Sequence, residues 1–307
     1  MNQNNIRELI INEYNETPQN IVKLNNALTT HAYRVKLKNN EIIVKVAYDK
    51  NDIEEGKGDK ENYVLKLIKE IAPQIPTPIV NKYFPTYNGF PGYIIILDTL
   101  PGKTLEVNDF IKIGIKEKNL NKLTEYMHEY HKYSQELITD FAQFRNKTFK
   151  EYIEKYKSKF AKTTEGELLI KLNLIDNVYE YFKNHKKILI HRDIKFNNLL
   201  IDKGEISGII DWEGAFIAPL AFEFAHISTL APKYGFSKWS NELIKTYSKK
   251  YSIPELEFEV KIAELFCYFR WYSRTFNHMS KENDLCIETG EYEIDFYKRK
   301  ILEWNEI

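Results

Sequence analysis

The stretch Ile188-Leu-Ile-His-Arg-Asp-Ile-Lys-Phe-Asn-Asn198, followed by Ile206-Ser-Gly-Ile-Ile-Asp-Trp-Glu213, decides the reading of this chain. It sets Asp193 after an apolar strand, Asn198 five residues later, and Asp211 after a second apolar strand. Transfer of a phosphoryl group needs that trio. One carboxylate orients and deprotonates a hydroxyl, while an amide oxygen and a second carboxylate hold magnesium on the phosphates. Asp and Asn favour turns on their own account, which explains each residue singly but not the whole order. His191 suits an architectural hydrogen bond, since Asp193 already stands where the base is needed.

Upstream, Tyr33–Leu37 and Glu41–Tyr48 around the turn Lys38-Asn39-Asn40 predict a hairpin. Lys45 interrupts the apolar second strand, and a buried ammonium requires an anionic partner or a place at an edge. Glu61 is the candidate partner. It shares a face with Leu65, Ile68 and Ala72 of a helix expected over Lys60–Ile71, an odd place for a carboxylate unless a cation faces it. A strand lysine gripping phosphates, held by a helix glutamate, accounts for both residues. The loop from Leu24 into the hairpin lacks glycine, but its amides and the hydroxyls of Thr29 and Thr30 can cover a phosphate; a plain hairpin loop is the alternative.

Two further strands are expected at Lys82–Phe84 and Gly92–Leu97, before Pro101-Gly102 marks a boundary. Beyond it helical periods dominate, in Leu120–Leu137, Glu165–Phe182, Trp239–Lys250, Glu255–Phe276 and Glu291–Glu303, interrupted only by the strand island Ile188–Trp212. The expected architecture is α+β and bilobal: a nucleotide-binding lobe over residues 1–100, and a larger catalytic and substrate-binding helical lobe over 101–307. The first is a small antiparallel sheet with one main helix.

Composition narrows the class. Lys+Arg and Asp+Glu both number 44, so no basic excess points to a nucleic acid. Apolar runs such as Tyr93–Leu97 are too short to span a bilayer. Two cysteines are too few for a disulfide framework, and the opening residues lack an apolar signal-like stretch. A cytoplasmic protein acting as monomer or homodimer is the expectation.

With these residues in hand, the chain resembles the aminoglycoside phosphotransferase and choline kinase superfamily, small-molecule kinases with a protein-kinase-like fold. Leu24–Val35 is similar to the family's phosphate loop, with Asn26 and Ala27 in place of its glycines. Lys45 falls at the phosphate lysine and Glu61 at the helix glutamate. Tyr93–Gly102 is similar to the strand and hinge, which implies that backbone near Asp98 and Leu100 holds adenine. Tyr126-Met-His-Glu-Tyr-His131 resembles the helix motif ending in Leu-His, and Pro219-x-x-x-Glu223 stands where many members have Pro-x-x-x-Asp. The resemblance implies Asn198 and Asp211 as Mg²⁺ ligands and Asp193 as the base, with Lys195 reaching the transferring phosphate in the His-Arg-Asp-x-Lys spelling. Glu213 stands where antibiotic kinases often carry Gly or Thr.

The long helix-rich segment between hinge and Asp193 speaks against a protein kinase and for walls of a small-molecule pocket. The expected activity is ATP- or GTP-dependent phosphorylation of a hydroxylated small molecule, first an aminoglycoside-like or other antibiotic. The acidic residues Glu282, Asp284, Glu288, Glu291, Glu293 and Asp295 would then receive ammonium groups, though a solvated helix face explains them too. A choline- or ethanolamine-type metabolic kinase is the alternative, with the aromatics of Phe266–Tyr272 as a cage, or else as core. A nucleotide-binding module with little transfer activity is a third reading.

Overall fold

A computed structural model describes residues 2–24, 30–47, 56–88, 90, 92–133, 148–164, 166–277 and 284–304. The chain divides into two compact units. The first comprises Met1–Lys103, Leu200–Asp202 and Ser207–Ala215, and the second comprises Thr104–Leu199, Lys203–Ile206 and Phe216–Ile307. Among the described residues no helix is long and apolar enough to cross a membrane.

The first unit is built on an antiparallel sheet ordered β1-β2-β3-β5-β4, from β1 (Asn20–Leu24), β2 (Thr30–Lys36), β3 (Glu41–Ala47), β4 (Val80–Phe84) and β5 (Tyr93–Asp98). Alternation along β3 sends Ile42, Val44 and Val46 into a core with Ile94 and Ile96 of β5 and with Ile6, Leu9 and Ile10. Those last three lie on α1 (Gln3–Tyr14), a helix the sequence pattern did not announce. Lys45 therefore projects from the opposite face of the sheet, in register with Ala32 and Ile95. Helix α2 (Lys57–Ile71) buries Glu61, Val64, Leu65 and Ile68. Its Gly58 permits close approach to β5, because a Cβ there would lie 2.4 Å from the Tyr93 ring.

The second unit is mostly helical: α3 (Val107–Gly114), α4 (Glu117–His131), α5 (Phe149–Ala161), α6 (Glu167–Lys171), α7 (Asn173–Phe182), α8 (Ala221–Tyr234), α9 (Ser237–Tyr251), α10 (Leu256–Asn277) and α11 (Glu293–Leu302). The period expected over 165–182 is split into α6 and α7, because the Leu172 amide bonds the Leu169 carbonyl three residues back and tightens that turn. Residues 134–137 of the helix expected from Leu120, together with Tyr48 and Glu165, lie outside the described residues. Strand β6 (Lys187–Ile190) pairs with β9 (Phe216–Pro219). Between them in sequence, β7 (Leu199–Asp202) and β8 (Glu205–Ile209) pair as a hairpin, most of which belongs to the first unit. The Asp193 loop leaves the end of β6.

Packing of α10 against α5 and α8 is aromatic. Phe266 lies 5.2 Å from Tyr152, 5.6 Å from Phe160 and 5.8 Å from Phe222, ring to ring. Phe266, Cys267 and Phe269 are fully buried and Tyr268, Trp271 and Tyr272 nearly so. The Phe266–Tyr272 run is thus core, and the cage expected for a quaternary ammonium is not formed by it.

Candidate active site

On the first unit, the Lys45 ammonium lies 2.8 and 2.7 Å from the two Glu61 oxygens and 3.0 Å from Asp211 Oδ1. Glu213 approaches the same nitrogen at 4.0 Å and pairs with Lys57 at 3.5 Å. Glu61 is buried at 1% side-chain exposure, Lys45 at 12%, whereas Asp211 retains 37%. Burial opposes the charge of Lys45, but Asp211, Glu61 and Glu213 together hold its pKa well above the ordinary range. Burial raises Glu61, with Lys45 pulling the other way and Asp211 adding to the rise. Burial and the neighbouring Asp211 push the Glu213 carboxyl up to about 7. Asp211 itself adopts φ 70°, a left-handed conformation that costs a non-glycine residue energy and is typically held at functional positions.

On the second unit, the Asp193 carboxylate meets Lys195 Nζ at 2.9 and 3.0 Å. Asn198 Nδ2 donates to the Asp193 carbonyl and to its Oδ2, both at 2.8 Å. The amide nitrogen of Asn198 being so committed, its carbonyl oxygen is the free end of the side chain. His191 is fully buried, and its Nδ1 accepts the Asp193 amide hydrogen at 3.2 Å. Behind the loop, Glu223 of α8 accepts from the amides of His191 and Arg192 and from the Tyr130 hydroxyl. In the sequence Glu223 stands out only as a departure from the family's usual Asp, and Tyr130 carries no signal of its own.

The remaining expected residues are more ordinary. Thr30 opens β2, is buried, and its Oγ1 has no hydrogen-bond partner among the described residues. Thr29, with Asn26 and Ala27, lies outside the described residues. Asp98 ends β5, its amide donating to Ile79 and its carboxylate accepting from Asn81 at 2.6 Å. The Leu100 side chain packs where Gly208 leaves room, since a Cβ on Gly208 would lie 2.8 Å from it.

Among the described acidic tail residues, Asp284, Glu288, Glu291 and Glu293 have partners within the chain. Glu291 is held bidentately by Arg299 at 2.9 and 2.7 Å. Glu293 is buried against Lys233 at 2.5 Å, Asp284 lies 3.8 Å from the same lysine, and Glu288 caps Ser237. Asp295 is exposed, and Glu282 lies outside the described residues.

Glu61, Asp211 and Glu213 place one oxygen each within 4.8 Å of one another. Hard oxygen donors of this kind suit magnesium rather than a soft metal.

A sequence profile of the phosphotransferase enzyme family, APH, matches residues 21–260. The chain belongs to this family. It is a phosphotransferase acting on hydroxyl groups. No match to a curated protein sequence was found. Solved structures share the fold. A thermostable mutant of aminoglycoside phosphotransferase APH(4)-Ia, in ternary complex with AMP-PNP and hygromycin B, is 12% identical with a TM-score of 0.70, covering 96% of each chain. The GDP complex of an aminoglycoside 2'-phosphotransferase-IIIa mutant is 13% identical with a TM-score of 0.71, covering 98% of this chain and 97% of the other. The gentamicin complex of APH(2")-IIa is 14% identical at 0.68, covering 99% and 97%.

Proposed function

We propose that this phosphotransferase uses ATP or GTP, with Mg²⁺, to phosphorylate a hydroxyl of a small molecule. The observation that carries the reading is the Asp193 carboxylate, one quarter exposed and fixed by Lys195 and Asn198. A carboxylate so held can orient an attacking hydroxyl and accept its proton as the bond to phosphorus forms. Lys195, already against Asp193, offers positive charge to the phosphoryl group in transit. Lys45 binds nucleotide phosphates and Glu61 holds it in place. On their respective units, Asn198 and Asp211 offer oxygens to magnesium. When bound, magnesium would offset the charge of the phosphates. Backbone near Asp98 and Leu100 is assigned to the base, Thr29 and Thr30 to the phosphates, and His191 to holding the Asp193 loop.

The aminoglycoside-like acceptor has in its favour the complexes of its fold neighbours with hygromycin B and gentamicin. Against it stand the intrachain partners already taken by Glu291 and Glu293. The choline-type alternative loses its aromatic cage to the core. The deciding experiment is a coupled ADP- or GDP-release assay with both nucleotides across aminoglycosides, macrolides, choline, ethanolamine and simple sugars, extended to hydroxy acids. Acceptor-dependent release that disappears in Asp193→Asn supports the proposal. Tight nucleotide binding with no transfer to any acceptor overturns it in favour of a binding module.

A further inference from the structure

We propose that the acceptor carries an oxyanion, a carboxylate or a phosphate, bound by Arg192 and Arg270 on the second unit. This names the substrate class of the transfer proposed above and rests on that reading for the chemistry that follows binding.

Arg270 interrupts the aromatic run of α10. Its guanidinium carbon lies 4.5 Å from the Trp271 ring centre and 5.8 Å from that of Tyr156. Arg192, immediately before Asp193, lies 5.8 Å from the Tyr152 ring and 5.9 Å from Phe216. The Tyr152 ring is 4.9 Å from Tyr156 and 4.4 Å from Phe216, so the two guanidiniums stand over one continuous aromatic wall. Both arginines act electrostatically on the same three buried groups, Tyr152, His226 and Cys267.

Guanidinium stays charged in any protein setting, and a partly buried charge calls for a counter-charge. Among the described residues no carboxylate pairs with either arginine. The neighbouring acids are engaged elsewhere: Glu223 with the His191 and Arg192 amides, Glu264 with Lys261, and Asp193 with Lys195. Aromatic faces stabilise such cations only in part; Arg270 gives hydrogen bonds to the Tyr156 side chain and to His226 Nδ1, and its remaining N–H groups can take a planar, two-point oxyanion. His226 adds a donor. Its Nδ1 is 3.4 Å from Arg270 Nη1 and 3.6 Å from Cys267 Sγ, so in the neutral ring that burial enforces, Nε2 carries the hydrogen. That Nε2 is buried and has no hydrogen-bond partner among the described residues. A polycationic acceptor would be repelled here, and an anionic one drawn in.

The test titrates the full-length protein calorimetrically with glycerate, glycerol 3-phosphate and glycerol, which share hydroxyls and differ in charge. At least one anion should bind ~10-fold or more tightly than glycerol, and Arg192→Gln or Arg270→Gln should weaken it by about 10- to 100-fold. Arg270→Lys should fall between, because charge remains but the fork is lost. Nucleotide titration of each variant confirms that it is folded. The two anions tell carboxylate from phosphate. Equal binding of all three probes, or anion affinity surviving both Gln variants, overturns the site. ADP release with neutral or cationic acceptors alone also sinks the oxyanion site while keeping the kinase. Anion binding that depends on both arginines, without transfer to any acceptor, keeps the site and sinks the kinase.

Discussion

The carboxylate of Glu223 accepts the His191 amide hydrogen at 2.6 Å, across 32 residues of chain. Its other oxygen takes the Arg192 amide at 2.9 Å, and the Tyr130 hydroxyl and His131 Nε2 stand 3.2 and 3.5 Å from Oε2. Burial alone would raise this acid, but His131, His191 and the loop amides outweigh it and hold the carboxyl below its usual range. The positive φ of Arg192, 67°, turns both amides toward one side chain. A longer side chain than the family's Asp does this work here.

Glu223→Gln replaces one accepting oxygen by a donor facing a backbone N–H. The two loop amides and the Tyr130 hydroxyl then compete for a single oxygen, and stability should fall by about 1–3 kcal/mol. Urea denaturation measures that loss. Turnover should fall with it, because the Asp193 loop loses its anchor, whereas nucleotide affinity should hold. An unchanged denaturation midpoint would remove Glu223 from the anchoring role.

Asp193→Asn keeps the shape of the side chain and removes the proton acceptor. Acceptor turnover should drop by about 10²–10⁴-fold. Magnesium-nucleotide binding, followed by fluorescence titration, should barely change, since Lys45 and its partners, proposed above to hold the phosphates, belong to the other unit. Equal losses in both measurements would show that the substitution had disturbed more than proton transfer.

Lys45→Met leaves Glu61 and Asp211 without their shared cation, and stripping one partner from a buried pair costs about 3–5 kcal/mol. Lys45→Met combined with Glu61→Gln should recover much of that stability, because the uncompensated charge at 1% exposure has gone. Nucleotide affinity should stay lost in both. Thermal denaturation of the four proteins of this cycle decides it, and purely additive losses would contradict the pairing.

Legibility in the sequence followed how local each constraint was. Lys45 and Glu61 could be matched because each is a charge out of place on an apolar face, and the structure puts them 2.7 Å apart. Asp193 and Asn198 sit five residues apart on one turn, so spacing alone brought them together. Glu291 and Glu293 misled, because their partners Arg299 and Lys233 come from a later helical turn and from another helix. Arg270 is masked by its aromatic run, although a charge flanked by Phe269 and Trp271 obeys the same rule that exposes Lys45. Helix α1 gave little signal, having only Ile6, Leu9 and Ile10 buried in an Asn-rich segment.

Glu213 supplies a pH prediction whose sign is fixed by its surroundings. Burial, then Asp211, favours the protonated carboxyl, and the pKa of about 7 in the fold exceeds the ordinary 4.5. The folded state therefore holds more protons than the unfolded chain between those values, and stability must fall as pH rises through that interval. The contribution is fully present below about 4.5 and is lost as pH passes through about 7. Glu213→Gln removes this titration. In metal- and nucleotide-free buffer, the stability of the Gln variant relative to the parent should rise steadily from pH 5 to pH 8 and then level. Chemical denaturation at several pH values reads the difference directly. A difference independent of pH would mean that Lys57, 3.5 Å away, already keeps Glu213 ionised across the range.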